Sequence, residues 1–447
     1  MDVGKLESFI VEKMAERRVP GISISIIKDG DVVYAKGFGY RNVEARLPST
    51  PETIYGIGSI TKSFTALAIM KLVEEGGLSL DDPVEKYVDI KLRPFGEPVT
   101  VHHLLTHSSG IPSLGYAEAF IDGMVGGDNW LPVSTPEETI AFARDMEKWA
   151  VAKPGERFFY LNTGYVLLGK IIEKVSGVPY EEYIKKKILE PLGMKRSYFF
   201  KEEVEKEKDV AMGYILDKEG RLVPQPFPYG ITADGGLLSS VLDLAKYLKM
   251  YIERDETIVS KEYIEKMETL YIKVPWEIFG GEGYGYGLII YPNFLGEKLV
   301  GHSGSVGMYT GYVGYISEKK IGVAVLENSS GYPPSHIAMY ALALLLGKDP
   351  EKELPFIYRE RILKKLEGRY MGYKGTIKFE VKVEGDIVYL RALGRAFTYT
   401  IPLFPEVLEE DFVKCYTLSN GRKMYAEFYI RDGKVDLIFE RYKLVKY

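Results

Sequence analysis

A serine and a lysine three positions apart, in Gly58-Ser59-Ile60-Thr61-Lys62-Ser63-Phe64, are the pair best suited to chemistry in this sequence. On a helix, positions i and i+3 share a face, so the hydroxyl and the amine would stand side by side. Ser59 follows a tight Gly56-Ile57-Gly58 turn, which puts it in a first helical turn. Unpaired N–H groups and the positive dipole end there favour an alkoxide. A neighbouring amine can take the hydroxyl proton once desolvation or nearby cations lower its pKa. The spacing recurs at Ser25–Lys28 and Ser317–Lys320. The first falls in an expected strand, where i and i+3 face opposite sides, and the second in an expected hairpin turn. The competing reading of Ser59 is an N-cap, with Lys62 a solvated side chain.

Two other clusters could join this pair. Tyr160-Leu161-Asn162 stands just before a helix expected over Thr163–Val175. A phenol can relay protons, and an amide can orient both a lysine and a substrate carbonyl. Tyr40–Asn42 and Tyr291–Asn293 repeat the spacing, so a half-buried aromatic beside an N-cap is the plain alternative. Gly301-His302-Ser303-Gly304-Ser305 opens a strand pair. Glycine at a strand edge lets a substrate backbone lie close, as an added strand would, and offers a second N–H to an oxyanion. A structural histidine is the alternative there. His102, His103 and His107 fall within six residues and invite a metal reading.

These residues need a scaffold. At roughly 100–200 residues per domain, 447 residues imply two or three compact units. With a net charge of −5 and interleaved signs, no basic stripe offers itself to nucleic acid. No charge-free apolar run reaches the ~18 residues of a membrane span. The opening segment MDVGKLESFIVEKMAERRVPG mixes charges and lacks an apolar stretch of the secretory type. Cys415 is the single cysteine, so no internal disulfide can form. A cytoplasmic protein is expected from both. Gln225 is the only glutamine, while Lys and Glu are abundant, as in thermophile sequences.

Leu6, Phe9, Ile10 and Met14 recur at helical spacing and predict a helix ending near Pro20. Gly21–Lys28, an Asp29-Gly30 turn and Val32–Gly39 read as a β-hairpin. A helical pattern runs from about Ser59 to Glu75, and helices alternate with loops as far as Leu248. Gly115–Trp149 has little periodicity and reads as a lid or insertion. Strands return at Met308–Tyr315 and Ile321–Leu326, followed by a helix over Ser335–Leu346. Strands at both ends and helices between them predict an α/β (α+β) fold: one antiparallel sheet flanked by helices, with an inserted helical lobe. Residues 1–346 form this domain and 347–362 a linker. Residues 363–447 carry short alternating strands with Glu384-Gly385-Asp386, Asn420-Gly421 and Asp432-Gly433 turns, which predict an all-β barrel or sandwich. Its aromatic residues Tyr370, Tyr373, Phe379, Phe397, Tyr399, Phe428 and Tyr429 suit a core, a ligand cavity or a subunit contact.

Ser-x-x-Lys, Tyr-x-Asn and His-x-Gly, in this order, resemble the signature of the serine β-lactamase and penicillin-binding-protein superfamily. The nearer likeness is to the class C β-lactamase, D-aminopeptidase and CubicO-like group, whose members carry His where others have the Lys of Lys-Thr-Gly. Gly77-Leu78-Ser79-Leu80-Asp81-Asp82-Pro83-Val84, the segment Val101–Gly110, Pro191-Leu192-Gly193-Met194 and Gly235-Gly236-Leu237-Leu238-Ser239-Ser240 extend it. The C-terminal module is similar to the lipocalin-like barrel of archaeal serine peptidases that assemble into closed compartments.

The resemblance implies a nucleophile at Ser59 with Lys62 as its base. Tyr160 would move the proton to the leaving group, and Asn162 would position Lys62 and the substrate amide. The N–H groups of Ser59 and Ser305 would hold the oxyanion, with Ser303 and Gly304 lining the substrate edge. His302 would sit beside Tyr160 and tune its proton. A neutral His302 attracts a substrate carboxylate less than a lysine does, so peptidase action on short peptides, including D-residue peptides, is expected before true β-lactamase action. Esterase or weak β-lactamase activity and a sensor acylated only once are the alternatives. The His-rich segment matches a metal-free part of the group, so no metal or cofactor is expected. The expected partners are a small peptide or ester and further copies of the chain.

Overall fold

The computed structural model describes the chain except residues 125, 126, 129, 130, 132, 134 and 395–397. Phe397 therefore lies outside the described residues. The chain divides into two compact units, residues 1–347 and 348–447.

The first unit is built on a nine-stranded sheet with order β3-β2-β1-β9-β8-β7-β6-β5-β4. These strands are β1 (Gly21–Lys28), β2 (Asp31–Asn42), β3 (Leu47–Pro48), β4 (Ile272–Lys273), β5 (Gly283–Tyr284), β6 (Ile289–Phe294), β7 (Glu297–Val306), β8 (Tyr309–Ile316) and β9 (Ile321–Glu327). Every described pairing in it is antiparallel. Residues 21–27 of β1 and all of β9 are buried at successive positions, so both faces of the sheet are covered. The serines of β1 are accommodated by pairing: Ser25 Oγ donates to the Val241 carbonyl at 2.7 Å, and Ser23 Oγ to that of Thr50 at 2.7 Å. Helices α1 (Val3–Arg17), α5 (Val241–Glu253) and α6 (Pro334–Leu345) flank the sheet. Phe9 of α1 stacks on Tyr340 of α6 with ring centroids 3.9 Å apart.

Between β3 and β4 the chain forms the expected helical lobe. Helix α2 (Thr61–Glu74) packs against α4 (Asn162–Ser176), and the short α3 (Val101–Leu105) lies against α4 as well. Helix α2 is buried almost all round, which explains its run of small and apolar residues. Gly115–Trp149, read as aperiodic, contains helices at Tyr116–Met124 and Pro136–Phe142 and a short 3-10 turn at Met146–Trp149. Thr135 caps the second of these with a reciprocal Glu138 contact.

The second unit is a closed barrel of eight antiparallel strands between Gly368 and Lys446. Residues 347–362, read as a linker, contain helices at Pro350–Glu353 and from Pro355 (Pro355–Lys364). The barrel core holds Val381, Val388, Leu390, Leu403, Val413, Cys415 and Leu437 together with Tyr370, Phe379 and Phe428. Tyr373 and Tyr399 are exposed instead, so the aromatic residues divide between core and surface.

Candidate active site

The turn before α2 begins the site. Gly58 has φ 53°, a left-handed conformation that a side chain would strain. A Cβ at Gly58 would also stand 2.5 Å from the Ser305 nitrogen. Absence of a side chain therefore lets the Ser59 turn and strand β7 touch through their backbones. Gly304 does the same from the other side, since its Cβ would lie 1.9 Å from the Ile57 carbonyl oxygen.

Lys62 leaves α2 with its amine 2.9 Å from Ser59 Oγ, and donates to the main-chain carbonyl of Asp234 at 2.5 Å. Lys62 is fully buried. Burial lowers its pKa to about 8, opposed by the negative charges of Asp234 and Glu118. An amine so placed is deprotonated at modest alkalinity. It then has a lone pair for the Ser59 proton while an N–H stays on Asp234. The Tyr160 ring centroid lies 5.0 Å from the Lys62 nitrogen, and the neighbouring Ser59 hydroxyl acts to lower the phenol pKa. Burial outweighs this and pushes the phenol pKa up, so Tyr160 keeps its proton.

His302 is buried on β7, with ring centroid 6.4 Å from that of Tyr160. Its Nε2 is 2.8 Å from the Tyr284 hydroxyl, and Nδ1 is 2.5 Å from the Ser303 carbonyl oxygen. A carbonyl only accepts, so Nδ1 carries the hydrogen and Nε2 accepts from Tyr284. Burial and the Lys62 charge depress the imidazole pKa to about 3, which keeps the ring neutral. Asn162 opens α4 with Oδ1 buried and without a hydrogen-bond partner. The second hydrogen bond of the Lys62 amine goes to the Asp234 carbonyl.

Strand β6 pairs with β7 only as far as Ile289 opposite Gly301. Beyond that register β7 keeps its β8 partner, so the edge at Ser303–Ser305 is free of the β6 ladder. The side chains of Ser303 and Ser305 are exposed, whereas Gly304 faces inward onto the turn at Ile57. The site thus joins a hydroxyl, an amine, a phenol and a strand edge, the parts needed for acyl transfer.

The three histidines of the 102–107 segment do separate jobs. His102 Nδ1 is 2.8 Å from the Tyr286 hydroxyl, His103 caps α3 through Thr100, and His107 packs beside Tyr160. Among the described residues no group of histidine, cysteine and carboxylate side chains has the arrangement of a metal site. Sequence reasoning missed Asp234, which directly precedes the quoted Gly235-Gly236, and Tyr284, whose partner is eighteen residues away.

Residues 6–348 match the beta-lactamase family, and residues 350–445 match the Pab87 octamerisation domain. Protein flp of Staphylococcus aureus (strain MW2) is 33% identical over 338 residues, which are 74% of this chain and 64% of that protein's length. The structure of an octameric penicillin-binding protein homologue from Pyrococcus abyssi is 96% identical over the whole of both chains, with a TM-score of 0.98. A D-amino acid amidase from Ochrobactrum anthropi is 25% identical, covering 78% of this chain and 98% of its own, with a TM-score of 0.63. A match running through nearly the whole of the first unit makes this chain a member of the beta-lactamase family.

Proposed function

We propose that the chain is a serine hydrolase that cleaves short peptides, including those with D-residues, through an acyl-Ser59 intermediate. The observation that carries this reading is the buried Lys62 amine 2.9 Å from Ser59 Oγ, with the Tyr160 ring centroid 5.0 Å from that amine. Neutral Lys62 takes the Ser59 proton as Oγ bonds to the substrate carbonyl carbon. The oxyanion lies between the N–H groups of Ser59 and Ser305, worth about 3–4 kcal/mol per donor in comparable sites. Tyr160 passes a proton to the departing amine as the C–N bond breaks. Water then attacks the ester by the reverse proton path and releases Ser59.

The substrate backbone extends along Ser303–Ser305 as an added strand, with Asn162 Oδ1 as an acceptor for its amide. Neutral His302 supplies no fixed positive charge for a terminal carboxylate, which favours peptides over β-lactams. The amidase among the structural relatives supports small amide substrates. The Pab87-type second unit and the octameric Pyrococcus homologue support a homo-octamer whose assembly restricts access to the sites. Cys415, buried and unpaired, suits a reducing cytoplasm.

The test is to assay matched L- and D-dipeptides and aminoacyl amides beside p-nitrophenyl esters and nitrocefin. Turnover of the peptides or amides is expected. Ester cleavage without amide turnover would replace the peptidase reading with an esterase. One burst without turnover would leave an acylated sensor.

A further inference from the structure

His107 carries two unfavourable features at once. Its backbone is left-handed, with φ 56°, a conformation uncommon for residues with a side chain. Its ring Nε2 is buried and has no hydrogen-bond partner, an omission that burial penalises. The residue is 1% exposed.

What His107 gains lies around Tyr160. Its main-chain carbonyl accepts from the Phe159 N–H at 2.8 Å, and its ring Nδ1 accepts from the Leu161 N–H at 3.0 Å. Those two donors flank Tyr160 in the chain. The imidazole packs against the phenol ring with centroids 4.2 Å apart and planes 33° apart. Tyr165 and Tyr284 stand 5.0 and 4.9 Å from the same imidazole. A peptide N–H only donates, so Nδ1 is bare and the neutral ring carries its hydrogen on the orphaned Nε2. Burial, with the Lys62 charge behind it, keeps the ring neutral.

We propose that His107 is a positioning residue for the acyl-transfer step, holding Tyr160 from both neighbouring peptides and from its ring face so that the phenol stays beside Lys62 and within reach of Ser59. Space filling needs neither the left-handed backbone nor the ring acceptor. The inference rests on the Ser59–Tyr160 reading above.

The test is a double-mutant cycle on the full chain, with His107→Ala, His107→Asn, Tyr160→Phe and His107→Ala/Tyr160→Phe compared on one amide or ester substrate. Misplacing a reacting group by about 1 Å costs on the order of 100-fold, so His107→Ala is expected to lower kcat by that factor, with KM within about threefold. Asparagine keeps an acceptor near the Nδ1 position and tolerates a left-handed backbone, so His107→Asn should recover at least about tenfold of the loss. In the Tyr160→Phe background, His107→Ala should cost under about threefold, because the group it positions has gone. Thermal melts confirm that each variant is folded at the assay temperature. Equal losses in both backgrounds, or a folded His107→Asn no better than His107→Ala, would overturn the proposal. Activity surviving in Ser59→Ala would instead remove the hydrolase reading beneath it.

Discussion

Lys62 is where the site's chemistry and its cost to the fold meet. Its amine must be unprotonated to act as a base, and burial holds its pKa near 8. The rate constant kcat/KM should therefore climb with pH below about 8, close to tenfold per pH unit, and level off above it. A plateau already reached at pH 6 would contradict Lys62 as the base. His302, depressed to about 3, should add no inflection between pH 5 and 8. The same shift costs stability. Between about 8 and its ordinary 10.5, Lys62 is deprotonated in the fold but protonated in the unfolded chain, so its contribution to stability rises with pH across that window. Below the window the penalty is fully present. Lys62→Met should abolish turnover, yet raise stability at pH 7 by on the order of 1–2 kcal/mol after the lost Asp234 hydrogen bond, read as a higher Tm. Ser59 and Lys62 were legible because one helix turn joins them. Asp234, Tyr284 and the Tyr160-holding role of His107 were not, because each acts across a contact remote in the chain. His302 was expected beside Tyr160, and its Nε2 hydrogen bond to Tyr284 was not legible.

Elements matter here through the edges they leave open. Strand β7 meets the Ser59 turn only because Gly58 and Gly304 lack side chains. Gly304→Ala should push that edge off Ile57 and displace the Ser305 N–H, lowering kcat by about 100–1,000-fold, the loss typical of one oxyanion donor. Steady-state kinetics on the folded variant check this, and unchanged kcat would remove Ser305 from the oxyanion site. The hairpin Gly21–Asn42, the pair β8–β9 and helix α2 were readable because their apolar periods run for seven residues or more. The 115–149 segment was not, because helices of nine and seven residues are shorter than the windows in which a helical period shows. Pro350 and Pro355 fall in the segment read as a linker, yet each stands at the first turn of a helix, where a missing N–H costs nothing.

At the scale of the whole molecule the second unit matches an octamerisation domain, which favours a role in assembly. Its core is filled by its own side chains, which favours a contact role over ligand carriage. Ending the chain at Gly347 should give a monomer by light scattering, whereas the full chain should have the mass of eight copies. An octamer surviving the truncation would place the contacts in the first unit. The full assembly should also spare a scissile peptide fused to a bulky folded carrier while cleaving the free peptide. Sequence gave notice of this unit through its Asn-Gly and Asp-Gly turns, but the closure of its strands into a barrel depends on pairing between Tyr370 and Lys446, which no local pattern encodes. The most direct test of the whole account is the mass of the intact assembly after treatment with a fluorophosphonate. One adduct per chain, located on Ser59 and lost in Ser59→Ala, is the predicted result. Labelling of another residue, or equal labelling of Ser59→Ala, would contradict it.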